Sequence, residues 1–157
     1  MPATFQWSEA NTVDELVTDG IANINFGSLD DKNINTTNYP INIGTNSYIK
    51  YIKGKFASTF TTISNMLFWK SAGELVTGET IKAGVTTTFA TPVTTASGDS
   101  GIPTSVGTAL AVLSAAGAAT IVAPGYTEYI RLQLQSVAGA PSGAVNQKTF
   151  VFQYDAV

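Results

Sequence analysis

The chain has 157 residues, enough for one closed core but short for two, and only 12% are charged, so a single folding unit with a polar, weakly charged surface is expected. It contains neither cysteine nor histidine, which excludes disulfides, thiolate or imidazole metal sites, thiol nucleophiles and the commonest general base. A net charge of −3 with one arginine, Arg131, leaves no cationic footprint for a nucleic-acid backbone or an anionic membrane surface.

Residues 1–20 read as an extended amino-terminal arm. Thr4 to Ser8 has the character of a strand, Thr12 and Glu15 have capping-box spacing for a helical turn, and Gly20 is placed to stop that turn. Trp7 lies outside the patterned core and is the expected interface anchor, because an arm orders only when it docks on something. Phe5, Leu16 and Val17 are candidate contacts beside it. Six of the eleven acids (Glu9, Asp14, Glu15, Asp19, Asp30 and Asp31) fall in the first 31 residues, while five of the eight basic residues (Lys50, Lys53, Lys55, Lys70 and Lys82) lie mid-chain. Such polarity suits head-to-tail contact between copies, or pairing of the arm with its own core. The amino terminus lacks the basic region and apolar run of a secretory signal, which predicts assembly in the cytoplasm.

Residues 21–157 read as the folded domain. Ile21 to Phe26 alternates like a half-buried strand, and Asp30 to Pro40 is a loop rich in residues that hydrogen-bond their own backbone. Tyr48 to Phe60 predicts a long antiparallel strand with Tyr48, Ile52, Phe56 and Phe60 on one face and Lys53, Lys55 and Ala57 on the other. In Ile63 to Lys70 both faces carry bulk, which predicts a central or covered strand with Trp69 in the core. Gly73, Gly78 and Gly84 divide the next segment into short pieces, including Thr80 to Lys82 and Val85 to Ala90. Thr91 to Ser105 is a loop long enough to be mobile or to make contacts, and Asp99 and Ile102 are its candidate contact residues. Val106 to Ala123 has no charge but too few large apolar side chains for a membrane helix, so a buried strand or short helix is expected. Glu128 to Gln135 alternates cleanly, Ala138 to Asn146 is a turn, and Lys148 to Tyr154 places Phe150, Phe152 and Tyr154 on one face.

Strands of this length between Gly, Pro and Asn clusters predict an all-β fold: a single β-sandwich, Ig-like or jelly-roll-like, of seven to nine antiparallel strands, with a small barrel as the alternative. No internal repeat is visible.

The short motifs are weak. Gly98-Asp99-Ser100-Gly101 matches the string around a serine-protease nucleophile, but no histidine is present to accept the serine proton, so it reads as a turn. Asp31, Asn33 and Asn35 have the spacing of the first three EF-hand ligands, yet Thr36 replaces the required Gly and Asn42 the bidentate Glu. Asn35-Thr36-Thr37 is a glycosylation sequon without a secretory context. The carboxylate pairs Asp30/Asp31, Glu74/Glu79 and Asp99/Glu128 read as solvated turn acids. No catalytic, cofactor or metal residue is therefore expected. Exposed aromatic side chains, among them Tyr39, Tyr51, Tyr126 and Tyr129, are the remaining candidates for stacking or docking.

Three segments carry a resemblance. Asn46 to Phe56 with Ile63 to Lys70, then Gly125 to Gln135, and Thr149 to Asp155 resemble the pattern in small structural proteins of tailed bacteriophages, over residues 40–157. The resemblance implies a virion protein, a capsid decoration or cement protein that binds the major capsid protein and copies of itself as a trimer or dimer. It carries over no catalytic residue and no cofactor. A carbohydrate- or receptor-binding module of a fibre or spike, and a neck or tail protein, are the alternative expectations.

Overall fold

The computed structural model describes residues 3–141 and 146–157. Its strands are β1 (Thr4–Asn11), β2 (Leu16–Asp19), β3 (Lys50–Ala57), β4 (Ile63–Ala72), β5 (Glu79–Thr86), β6 (Ser100–Gly101), β7 (Leu110–Ala111), β8 (Gly125–Tyr126), β9 (Tyr129–Ser136) and β10 (Thr149–Ala156). A 3-10 turn, Val106–Thr108, precedes β7. The strands form two antiparallel sheets, a large one ordered β2-β1-β3-β9-β5-β6 with β8 beside β3, and a small one ordered β10-β4-β7. The expected all-β sandwich is therefore present. Three strands have only two residues, which leaves seven of four residues or more.

Period-two alternation builds the core. Ile52 and Phe56 of β3, Ile81 of β5 and Ile130 and Leu132 of β9 face Ile63, Met66 and Phe68 of β4 across the layers. Phe56 and Phe68 are 1% and 0% exposed; burial of this kind stabilises the fold by roughly 1.5–3 kcal/mol per side chain. In β4 both Ile63 and Met66 point inward, because an irregularity at Ser64 and Asn65, where Asn65 has a φ of 50°, shifts the register by one residue. Asn65 Nδ2 donates to Asp155 at 2.5 Å and fixes that irregularity against β10.

The amino-terminal segment is a strand of the sandwich and not an arm beside it. β1 lies between β2 and β3, in register from Thr4 opposite Ala57 to Ala10 opposite Tyr51. Phe5 and Trp7 alternate with Thr4, Gln6 and Ser8, so both aromatic rings enter the space between the sheets. Phe5 stacks on Phe152 with centroids 5.2 Å apart, and Trp7 meets Phe68 edge-on at 6.0 Å. Gly54 makes room for this: a Cβ there would lie 2.7 Å from the Phe5 ring.

The turn expected at Thr12 to Glu15 is not helical. Thr12 and Glu15 have φ of 63° and 55°, which closes a hairpin between β1 and β2. Ile21 to Phe26 runs without a ladder, although Ile21, Ile24 and Phe26 still pack on the core. The pieces expected around Gly84 are one strand, β5. Here a Cβ at Gly84 would meet the Asp99 carboxylate lying over it, which would have to shift from its place beside Arg131. Val106 to Ala123 is mostly exposed, with Val112, Ser114 and Ile121 buried, since Ala, Gly and Thr offer little area to bury. Part of the expected Ala138 to Asn146 turn, residues 142–145, lies outside the described residues, as do Met1 and Pro2. No helix among the described residues is long and apolar enough to cross a membrane.

Candidate interface and interlayer cavity

The outer face of the large sheet carries most of the polar chemistry, and its own chain covers it. Ala10, Ile49, Tyr51 and Tyr129 form a second small core there, packed by Val17 and Phe89. Lys53 Nζ lies 4.5 Å from the ring centroids of both Tyr126 and Tyr129, and burial pushes its pKa down. The Tyr129 hydroxyl donates to Glu15, and burial followed by that carboxylate holds its pKa far above the usual phenol value. Nearer the edge, Asp19 accepts from Lys55 at 2.5 Å and from Ser8 at 2.6 Å; the Lys55 ammonium holds its carboxyl below the ordinary value. These contacts fasten the β1–β2 hairpin to the sheet.

The loop over residues 91–99 is fastened in the same way. Gln133, 1% exposed on β9, donates to Ser47 O and Thr95 O and accepts the Ser97 amide at 2.7 Å. Arg131 pairs with Asp99, whose backbone amide donates to Ser97 Oγ. The Gly98 to Gly101 string is thus a turn into β6 held down by an ion pair. In the loop that follows, Asp30 accepts from Asn11 Nδ2 and the Thr12 amide, Asp31 from the Lys32 amide, and the Asn35 side-chain oxygen from the Thr37 and Asn38 amides. No cluster that could hold a metal ion occurs among the described residues.

The six residues expected at an interface are dispersed. Phe5 and Trp7 are together, 5.1 Å apart, but in the core. Leu16 is 59% exposed on the edge strand β2, whereas Val17 turns in toward Ala10 and Tyr51. Asp99 is occupied by Arg131, and Ile102 is 7% exposed, part of the main core. Leu16 is the one among them that presents a large apolar side chain to solvent.

The exposed large apolar residues, Val13, Leu16, Ile43, Leu75, Val93, Val106, Val122 and Val137 among them, are scattered over loops and the edge strand β2, whereas the small sheet carries a partly exposed apolar group. Phe68 and Lys70 are buried, so by alternation Leu67 and Trp69 occupy the opposite face. Trp69 stands opposite Val151 and Leu67 opposite Gln153 on β10. All of Leu67, Trp69 and Val151 are partly exposed. β10 is an edge of its sheet, paired with β4 alone among the described residues, and contains neither Lys nor Pro. The expectation that placed Trp69 in the core and Trp7 at an interface is therefore reversed. The bulk on both faces of Ile63 to Lys70 was the available signal.

A second feature was not visible in the sequence. The Ile21 to Phe26 segment, together with Trp7, Leu134 and Phe150, lines a cavity of about 1100 Å³. Its wall includes a buried ion pair, Glu79 with Lys148 at 3.0 Å, with side chains 3% and 5% exposed.

No protein-family model matches the chain, and searches of the curated proteins and of the solved structures give no match.

Proposed function

We propose that this chain is a non-enzymatic structural protein of a virus particle, a capsid decoration or cement protein that docks on the outside of a tailed-phage head and braces neighbouring capsid subunits. The observation that carries the reading is the outward face of the small sheet. Leu67, Trp69 and Val151 form an apolar row there, where an antiparallel sheet turned to water would alternate to polar side chains. The edge of β10, unpaired among the described residues, borders that row and offers backbone donors and acceptors to a neighbouring strand.

The sparse charge, 12% of residues, supports the same reading, since such a surface is poorly protected against association and suits a component covered by neighbours. So do the strand segments that resemble small phage structural proteins. Burying a composite site across two subunits would stabilise a shell by mass action, and repetition over a symmetric lattice would let modest contacts add.

Quantitative mass spectrometry of the particle that carries this chain tests the proposal. A copy number equal to that of the major capsid protein, or a simple lattice fraction of it, is expected. A few copies per particle would move the chain to the neck, tail or a fibre, and absence from the particle would overturn the proposal.

A further inference from the structure

We infer that the chain cross-links itself: the Lys50 amine displaces ammonia from the Asn11 side chain, with Glu9 carrying the protons, and the resulting amide bond ties β1 to β3. This chemistry is independent of the docking face on the small sheet.

Strand alternation brings the three groups together. Phe5 and Trp7 of β1 point between the sheets, so Glu9 and Asn11 follow them inward, and on β3 Lys50 shares the inward face of Ile52. Ala10 stands opposite Tyr51, which sets Asn11 beside Lys50 at the next step of the two strands. All three are shut away from solvent, with Glu9 and Lys50 0% exposed and Asn11 3%.

The contacts place each group for a proton relay. Glu9 Oε1 accepts from Lys50 Nζ at 2.8 Å and from Asn11 Nδ2 at 2.9 Å. One oxygen thus touches both the attacking nitrogen and the leaving nitrogen, the position from which a carboxylate can pass protons from one to the other. The turn at residues 30 and 31 holds both reactants: Asp31 O accepts from Lys50 Nζ at 2.7 Å, and Asp30 Oδ1 accepts from Asn11 Nδ2 at 3.1 Å. A nucleophile fixed beside its target in this way is spared the entropy of encounter.

The reaction balances within these side chains. Glu9 takes one proton from Lys50, and the freed amine attacks Cγ of Asn11. As the Cγ–Nζ bond forms, the Cγ–Nδ2 bond breaks and its electron pair stays on Nδ2. Glu9 delivers its proton to that nitrogen and takes the second Nζ proton. Ammonia leaves, the third Nζ proton stays on the new amide, and Glu9 ends as a neutral acid. Two buried charges disappear from the interior, where holding them costs desolvation, and this favours the product.

Intact-mass spectrometry of the denatured full chain, followed by tryptic mapping, tests the inference. The wild type is expected to be lighter than its sequence by one ammonia, about 17 Da. Its digest is expected to contain the peptide over residues 1–32 joined through Asn11 to that over residues 33–53, since a linked Lys50 is not cut. Lys50→Arg, which keeps a cation beside Glu9 but cannot give up its proton, and Glu9→Gln are each expected at full sequence mass. A wild type at full sequence mass, an ammonia loss that maps to any other residue, or a link that forms equally in Glu9→Gln would overturn it. Should Glu9→Gln fail to fold, the wild-type mass and peptide map decide alone.

Discussion

Trp69 on β4 and Val151 on β10 stand directly opposite each other on the side of the small sheet turned away from the core. Trp7, by contrast, lies between the layers against Phe5, Phe68 and Phe152. The two tryptophans therefore have opposite mutational signatures. Trp7→Ala is expected to cost about 3 kcal/mol or more, as for other large-to-small core changes. Trp69→Ser is expected to shift stability by less than about 1 kcal/mol. Urea denaturation of both variants checks the contrast.

Because β1 is an internal strand, deletion of residues 1–12 removes the pairing of β3 on one side together with the Phe5 and Trp7 rings. The expected result is loss of cooperative unfolding, read by near-ultraviolet circular dichroism. A truncated chain that retained a sharp transition would mean that the sandwich closes without β1.

The sequence of β1 resembles an arm for a physical reason. Its alternation, Phe5 and Trp7 against Thr4, Gln6 and Ser8, is as regular as that of β9, but it spans few large apolar residues and ends in Glu9, Ala10 and Asn11, whose burial depends on partners far along the chain. Glu9 is fully buried because Lys50 meets it at 2.8 Å and Asn11 Nδ2 donates to the same oxygen at 2.9 Å. Strand identity in β3, β4, β5, β9 and β10 was legible because period-two patterning is local. Strand order, the inward lysines and the Glu79–Lys148 pair, 69 positions apart, arise from long-range register that no local pattern encodes. The outward row was half legible: bulk on both faces of β4 announced a cover, but not that this chain covers the face only in part.

The Glu9–Lys50 pair is 0% exposed on both sides, so removing one partner strands a charge in the interior. Lys50→Met and Glu9→Gln are each expected to destabilise by about 3 kcal/mol, and the double variant by clearly less than their sum. A double-mutant cycle measured by chemical denaturation decides this, and additive effects would contradict the coupling.

Tyr129 gives a pH dependence with a definite sign. Its folded pKa is raised above the ordinary value of 10.0, so the folded state holds its proton more tightly than the unfolded chain. The resulting stability is complete below pH 10 and is lost as pH rises above it. Lys53 acts in the opposite direction over the alkaline range, since burial lowers its pKa from 10.5 and stability gained by its deprotonation rises toward that value. Tyr129→Phe is expected to remove the alkaline loss and expose the Lys53 gain, measured as the thermal midpoint between pH 9 and about 11.

Gln133 holds the loop over residues 91–99 through two hydrogen bonds, to Thr95 O and from the Ser97 amide. Gln133→Leu is expected to raise hydrogen exchange at the Ser97 amide by at least about tenfold while leaving the β9 amides protected. Equal exchange in both proteins would mean that other contacts secure this loop.

The central claim, that the outward face of the small sheet docks on a capsid lattice, is tested most directly by rebinding. Shells depleted of this chain are incubated with wild-type protein or with a Trp69→Ser, Val151→Thr variant of unchanged thermal midpoint, and occupancy is measured by quantitative mass spectrometry. The account predicts saturation by the wild type at a stoichiometry set by the lattice and at least tenfold weaker binding by the variant. Equal occupancy by the two proteins would contradict it.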